Sequence, residues 1–228
     1  MYCFTDGPLA AYERLMIIPP SKKSRYNDKN ACHNAAADYN CSACKYQMNQ
    51  KRGCYQEQCP FYAERIYYGY VQYTEALLRM VTSLGVKELM NRVRYLIKDT
   101  EKTEMFFSSM DHKSRFAKLK KQEILHSGSS PSFAAVLYLL TASSFLWHEI
   151  KPAVYGGRID FKSFELGKLA NGEWQNYTLY KMAKEIYTGK TEIAFTELCD
   201  KKIVGDKSFR LIINAFLICR YGLKVVRV

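Results

Sequence analysis

The chain has 228 residues, 48% of them hydrophobic and 25% charged. This composition excludes a mainly disordered chain and fits one large folded domain or two small ones. The 34 lysines and arginines outnumber the 22 aspartates and glutamates, giving a formal net charge of +12. Such a surplus favours contact with polyanions. A charge that only keeps the surface soluble is the alternative interpretation.

Targeting and membrane segments are not predicted. The first ten residues have neither a basic stretch nor the apolar run of a secretory signal. The longest nearly apolar stretch, 134–147, is too short to span a bilayer and contains Thr141, Ser143 and Ser144. We therefore expect a cytoplasmic protein without a membrane partner. In that reducing compartment, clustered cysteines are more often metal ligands than disulfides.

Six of the eight cysteines lie within residues 1–60, a polar segment with little helical periodicity. Cys41 and Cys44 are separated by two residues, and Cys54 and Cys59 by four. Two such pairs can complete a tetrahedral zinc site, which would be structural because it leaves no position open for water. The segment is too polar to become ordered by apolar burial alone. The sequence thus predicts a small cysteine-rich module stabilised by zinc.

The choice of ligands stays open within this module. The preferred four are Cys41, Cys44, Cys54 and Cys59, and either Cys32 or His33 could replace one of them. An iron–sulfur cluster is a second possible occupant, and a set of unligated, partly buried thiols is the alternative without metal.

Helical periodicity begins after residue 60. Apolar residues recur at spacings of three and four, as on one side of an amphipathic helix: Ile66, Tyr70, Tyr73, Leu77 and Met80. Gly85 is predicted to interrupt this helix, and a second apolar stripe follows over 86–97. The polar residues 98–104 suggest a linker. We therefore predict a cysteine-rich module over 1–60, an amphipathic helical segment over 61–104 and a helical domain over 105–228.

The last segment contains further helices. Asp111 is predicted to cap one, and Ser130-Pro131 to open an apolar helix that continues through Phe145 and ends before Pro152. Gly189 is expected to end a later helix, and Asp206 to cap the last one, which Gly222 closes. The predicted fold class is mainly α. Its predicted core residues are Val136, Leu140, Met182, Ile186, Ile213 and Phe216.

No catalytic pattern is complete in the sequence. Gly189-Lys190-Thr191 has the ending of a phosphate-binding loop, but Lys184 occupies the position of the required upstream glycine. His148 lies near a helix end, where a structural role is more common than general-base catalysis. The adjacent Asp111 and His112 are better explained by helix capping than by catalysis. We therefore favour a protein that is not an enzyme, with a nuclease or nucleotide-modifying enzyme as the third possibility.

Several short motifs of the second half occur in a characteristic order. They are Phe106–Phe116, Ala135–Leu140, Gly172–Gln175 and Met182–Gly189. In these motifs, residues 105–222 resemble a family of uncharacterised small proteins from phages and mobile elements of Gram-positive bacteria. The resemblance implies a helical fold and a mobile-element context, but no catalytic residue. The cysteine-bearing N-terminal segment departs from the family pattern.

A mobile-element protein without a catalytic apparatus is expected to act by binding. The leading hypothesis is an accessory protein that binds and blocks a nucleic-acid-guided defence complex of the host, as an anti-CRISPR protein does. The alternative is a zinc-containing regulator that binds DNA or RNA. Basic residues, some interleaved with tyrosines that could stack on bases, are the candidate binding residues: Lys22, Lys23, Arg25, Lys45, Lys51, Arg52, Arg115, Lys118, Lys120 and Lys121.

Overall fold

A computed structural model describes residues 72–82, 85–98, 105–122, 124–125, 129–162 and 174–223. The predicted cysteine-rich module lies outside these residues. The described part is mainly α-helical, as predicted. In chain order, its helices and strands are α1 (Tyr73–Thr82), α2 (Lys87–Lys98), α3 (Met110–Lys121), α4 (Pro131–Leu140), α5 (Ser144–Ile150), a 3-10 helix (Lys151–Ala153), β1 (Val154–Tyr155), β2 (Arg158–Ile159), α6 (Trp174–Thr188), α7 (Phe195–Cys199) and α8 (Asp206–Tyr221).

Helix α4 is the central element. Every residue from Phe133 to Leu140 is buried, and its main neighbours are α8 and α6. A helix that is apolar on all sides requires neighbours all round, so the others pack about it. All six predicted core residues are buried, which confirms that part of the prediction: Val136, Leu140, Met182, Ile186, Ile213 and Phe216.

Helices α1 and α2 pack against each other, and α1 also packs against α8. Ala76 and Leu77 of α1 belong to the same hydrophobic core as Ile212 of α8. The hydroxyl of Tyr73 donates a hydrogen bond to Asn214 Oδ1 and joins the two helices. The described residues on either side of the predicted linker therefore share one core.

The short strands β1 and β2 form an antiparallel hairpin in which Val154 pairs with Ile159. Its turn contains Gly156 and Gly157, both with positive φ. The sequence predicted a turn at these glycines, because glycine adopts a left-handed backbone without steric cost. In the part of the chain that the structure describes, no helix has the length and apolarity needed to cross a membrane.

Several predicted helix ends are confirmed. Ser130 caps α4 by accepting a hydrogen bond from the Phe133 N–H at 3.1 Å. Gly189 follows α6 with a φ of 73°, and Gly222 follows α8 with a φ of 74°. Each donates its N–H back to a carbonyl of the preceding helix, to Glu185 at 2.8 Å and to Ile218 at 2.7 Å.

Three other predicted ends were wrong. Helix α3 is capped by Ser109 rather than Asp111, because Ser109 Oγ accepts from the His112 N–H at 3.1 Å. Gly205 rather than Asp206 occupies the cap position of α8. The predicted continuous helix through Phe145 is two helices, α4 and α5.

The break between α4 and α5 has a local cause. The hydroxyl of Thr141 donates to the carbonyl oxygens of Leu137 at 2.7 Å and Tyr138 at 3.2 Å. Ser143 Oγ then accepts from the Leu146 N–H at 3.3 Å and caps the new helix. Side chains of this type compete with the helical hydrogen bonds of the backbone, so the chain ends one helix and begins another.

Candidate binding surface

The predicted binding and metal residues fall into two groups. The first lies outside the described residues and comprises Lys22, Lys23, Arg25, Lys45, Lys51, Arg52, Cys32, His33, Cys41, Cys44, Cys54 and Cys59. The second group lies on α3. Among the described residues, no group of three or more His, Cys, Asp or Glu side chains could hold a metal ion. The zinc site therefore stays a prediction.

On α3, the predicted basic residues have different roles. Lys118 and Lys121 are exposed, and the side chain of Lys120 lies outside what the structure describes. Arg115 instead turns to the end of α4, where its Nε donates to the Thr141 carbonyl at 2.8 Å and its Nη2 to the Ala142 carbonyl at 3.4 Å. Because those carbonyls have no partner within the helix, Arg115 satisfies them and stabilises the α4–α5 junction.

His112 of α3 is fully buried and both ring nitrogens are bonded. Its Nε2 lies 2.9 Å from the Tyr138 carbonyl oxygen and its Nδ1 accepts from the Ser108 N–H at 3.1 Å. Burial, with a smaller contribution from nearby Arg115 and Lys207, lowers the pKa of His112 to about 3. A neutral imidazole with both nitrogens bonded inside the core is a structural group and not an accessible base.

A small cavity of about 50 Å³ lies between α1, α2 and α8. Its lining is mostly apolar, and three of its four polar residues, Tyr73, Arg210 and Asn214, bond to one another or to the backbone. Tyr73 donates to Asn214, Asn214 Nδ2 donates to the Arg210 carbonyl at 2.6 Å, and Arg210 Nη2 donates to the Leu96 carbonyl at 3.2 Å. These three polar side chains are therefore engaged within the protein.

A second set of exposed side chains surrounds the turn that precedes α8. Trp174, the first residue of α6, is 61% exposed, and its ring stacks on Tyr177 with centroids 5.4 Å apart. The indole Nε1 donates to the Ile203 carbonyl at 2.8 Å, which fixes the ring against the turn. This hydrogen bond and the stacking on Tyr177 hold an exposed aromatic platform in one orientation.

A second aromatic ring is in contact with a lysine of the same turn. Tyr95 of α2 is 51% exposed, and Lys201 Nζ lies 3.6 Å from the centroid of its ring. Residues 201 and 203 are at most about 7 Å apart along the chain, so both aromatic residues contact the same short turn. We call Tyr95, Trp174, Tyr177, Lys201 and Lys202 the Trp174 surface.

Two lysines of this surface have no carboxylate partner among the described residues. Lys201 and Lys202 are exposed, and no carboxylate of the described residues forms an ion pair with either. Further along α6, Lys181 and Lys184 contact the carboxylate of Glu192 at 2.6 and 2.7 Å. Those two ammonium groups share one carboxylate within the protein, whereas Lys201 and Lys202 have no carboxylate partner among the described residues.

Arg92 of α2 fixes the turn through hydrogen bonds to backbone carbonyls. Its guanidinium is buried, donates to the Leu198 carbonyl at 2.7 Å and to the Val204 carbonyl, and lies 4.0 Å from the centroid of the Phe209 ring. Asp206 Oδ1 lies 3.2 Å from Nη2. Burial lowers the pKa of Arg92, and Asp206 opposes that shift. Arg92 thus connects α2 with α7, with α8 and with the turn that bears Lys201 and Lys202.

Sequence reasoning missed both Arg92 and the Trp174 surface. Trp174 and Tyr177 are three residues apart, a spacing that predicts neighbours on a helix. The two consecutive lysines, Lys201 and Lys202, can also be read from the sequence. Only the fold brings the two together, because the turn before α8 packs beside the start of α6.

Comparison with known proteins adds no family to these observations. No protein-family model, no curated protein and no solved structure matches this chain. The described residues therefore define a mainly α-helical protein with an exposed surface that combines aromatic rings and lysines.

Proposed function

We propose that the protein acts by stoichiometric binding, without turnover, to a partner that contains nucleic acid. The observation that carries this proposal is the Trp174 surface, where an exposed, fixed indole lies beside two lysines without carboxylate partners. Aromatic rings among cations are a common means of holding polynucleotides. The net charge of +12 supports the same kind of partner.

The specific form of the proposal is an accessory protein that blocks a nucleic-acid-guided defence complex of a host, of the anti-CRISPR kind. It is supported by the resemblance of residues 105–222 to proteins of phages and mobile elements. An inhibitor of this kind would bind a protein–RNA complex more tightly than bare nucleic acid.

The second candidate is a DNA- or RNA-binding regulator, favoured by the predicted zinc module over 1–60. Such a regulator would shift bare nucleic acid at physiological salt, with an affinity that falls steeply as salt rises. The two functions therefore differ in whether a protein component of the partner is required.

Two measurements test the proposal. Affinity capture from the native host, with identification of both protein and nucleic acid, gives the partner. Binding of that partner is then compared with binding of its nucleic acid alone.

Charge reversal identifies the face that binds. Three variants replace basic residues by Glu: one at Lys201 and Lys202, one at Lys118, Lys120 and Lys121, and one at Lys22, Lys23 and Arg25. We expect at least one to lose partner binding while its helix content is unchanged. Full activity in all three, or inactivation of a large molar excess of target by trace protein, would contradict stoichiometric binding.

A further inference from the structure

We propose that the Trp174 surface is a subsite for single-stranded nucleic acid, in which one unpaired base stacks on Trp174 while neighbouring phosphates contact Lys201 and Lys202. This inference rests on the proposed function and specifies the form of the polynucleotide. It starts from Trp174, a residue that is 61% exposed although Tyr177 stacks against its ring. The residue therefore stays largely accessible to a third planar group.

The platform is organised before any ligand arrives. The hydrogen bond from Trp174 Nε1 to the Ile203 carbonyl, at 2.8 Å, and the stacking on Tyr177 fix the ring. Lys181 Nζ, which is paired with Glu192, lies 5.6 Å from the centroid of the Tyr177 ring. A fixed ring loses little conformational entropy on binding, so more of the stacking energy contributes to affinity.

The two charges belong to the turn that anchors the indole. The Ile203 carbonyl anchors the indole, and Lys201 and Lys202 immediately precede Ile203 in the turn. A base on Trp174 would thus bring its own or the next phosphate towards these two amines. Lys181 and Lys184 are bound to Glu192 and are not needed for this contact.

The chemistry favours a single strand over a duplex. Stacking on a protein ring requires a base whose face is exposed, and in a duplex both faces are covered by neighbouring base pairs. A purely electrostatic surface would instead bind both forms and also polyanions without bases. The distinction between these ligands therefore separates base stacking from charge alone.

The experiment uses the intrinsic fluorescence of the full chain. The sequence has two tryptophans, Trp147 and Trp174, so Trp147→Phe makes Trp174 the only indole. An oligothymidylate, a duplex of the same length and heparin are titrated into this variant at several salt concentrations. We expect the single strand to quench Trp174 and to bind more tightly than the duplex, whereas heparin binds without comparable quenching.

Variants then assign the contacts. Trp174→Ala should weaken single-strand binding about 5- to 150-fold, the contribution of one stacked base, and Trp174→Phe should restore much of it. Replacing Lys201 and Lys202 by Gln should reduce the slope of log affinity against log salt concentration by about 1.4 in magnitude. This is the contribution of two phosphate contacts, at about 0.7 each on a single strand. The matched controls are Tyr155→Ala, an aromatic residue 63% exposed on the hairpin, and Gln at the exposed Lys151 and Lys162, which belong to none of the candidate binding faces.

The possible failures are distinguishable. Equal affinity for duplex and single strand, or unchanged affinity in Trp174→Ala with the helix content preserved, overturns the stacking subsite and leaves salt-dependent binding of nucleic acid intact. If affinity capture finds only protein on this surface and no polynucleotide binds, the proposed function fails as well.

Discussion

The Nε2 atom of His112 on α3 lies 2.9 Å from the carbonyl oxygen of Tyr138 on α4. Because a carbonyl can only accept, Nε2 carries the proton, and Nδ1 must be the unprotonated nitrogen that accepts from the Ser108 N–H. The rings of the two residues are also in contact, with centroids 4.9 Å apart. A second proton on Nδ1 would face the Ser108 N–H and place a charge in the core.

This arrangement predicts a loss of stability in acid. The pKa of His112 is about 3 in the folded protein, against 6.5 as its ordinary value, which we take for the unfolded chain. Below pH 6.5 the unfolded chain takes up a proton that the folded chain does not, so stability falls as pH decreases towards 3. Between pH 6.5 and 4 the loss from this residue is about 3 kcal/mol.

The measurement is urea unfolding at a series of pH values, for the wild type and for His112→Gln. The glutamine can still donate to Tyr138 but has no proton to gain, so its free energy of unfolding should depend less on pH over this range. Parallel curves for the two proteins would show that His112 is not the titrating group.

Arg92 gives a second prediction. Arg92→Met keeps an apolar side chain against Phe209 but removes the donors to the carbonyls of Leu198 and Val204. Each buried carbonyl left without a partner costs about 1–3 kcal/mol. Arg92→Lys should also destabilise, because one ammonium cannot reproduce the planar geometry of a guanidinium.

The matched control is Arg94→Met on the same helix, at an exposed position. Its free energy of unfolding should change by less than about 0.5 kcal/mol. Because Arg92 holds the turn that bears Lys201, Arg92→Met should also weaken ligand binding at the Trp174 surface. Similar denaturation curves for the Arg92 and Arg94 variants would mean that the buried hydrogen bonds contribute little.

The sequence was sufficient for the helices and for much of the core. Periodic apolar residues report which side of a helix is buried, so Met182, Ile186 and Ile213 were placed correctly. Gly189 and Gly222 were also found, because a left-handed residue after a helix is most often glycine.

The errors came from choices that depend on tertiary contacts. Ser109 and Asp111 are both good caps, and sequence alone does not decide between them. Because helix α3 begins at Met110, His112 lies in the core against Tyr138. Asp206 lies in the first turn of α8, where a carboxylate is also favourable, and its side chain binds Arg92.

The Trp174 surface and the Arg92 contacts could not be predicted for a related reason. Arg92 donates to carbonyls more than a hundred positions away in the chain. Its position in the helical pattern does not distinguish it from a charged residue on an exposed helix face. Trp174 and Lys201 belong to separate elements that meet only after folding. Pattern and spacing describe one element at a time, whereas these features depend on how elements are packed together.

The zinc prediction is tested by chemistry. We expect one zinc per chain by elemental analysis, held by residues among Cys41, Cys44, Cys54 and Cys59 with Cys32 or His33 as substitutes. Cys44→Ser should lose the metal and should increase hydrogen exchange over residues 1–60 more than in α4 or α8, because metal binding would supply folding free energy there.

Cys199→Ser is the matched control for the zinc site, since Cys199 is half-buried on α7, outside the predicted ligand set. It should retain the metal. Purified wild-type protein without stoichiometric zinc would rule the site out.

Glu185 on α6 gives the last prediction. Its carboxylate is buried, and Oε2 accepts from the backbone N–H groups of Glu192 and Ile193, both at 3.0 Å. The other oxygen, Oε1, has no hydrogen-bond partner among the described residues. Burial raises the pKa of Glu185, and the two N–H donors oppose that shift. The side chain thus holds the segment after α6 against the helix, at the cost of a desolvated charge.

Two substitutions separate these effects. Glu185→Gln keeps an oxygen for both N–H groups and removes the charge, so the free energy of unfolding at pH 7 should be unchanged or higher. Glu185→Ala leaves both N–H groups without an acceptor and should lower it by about 1–3 kcal/mol for each group that remains buried. Glu88→Gln, at an exposed position on α2, is the control.

The pH dependence has the opposite sign to that of His112. Because the pKa of Glu185 is higher in the folded protein than in the unfolded chain, the folded state takes up its proton first as pH falls. The wild type should therefore gain stability relative to Glu185→Gln as pH decreases through the raised pKa towards 4.5, the ordinary value for Glu. Urea unfolding of both proteins between pH 7 and 4.5 measures this difference. A wild type that loses stability relative to Glu185→Gln over that range would show that the ionised carboxylate is the favoured form in the fold.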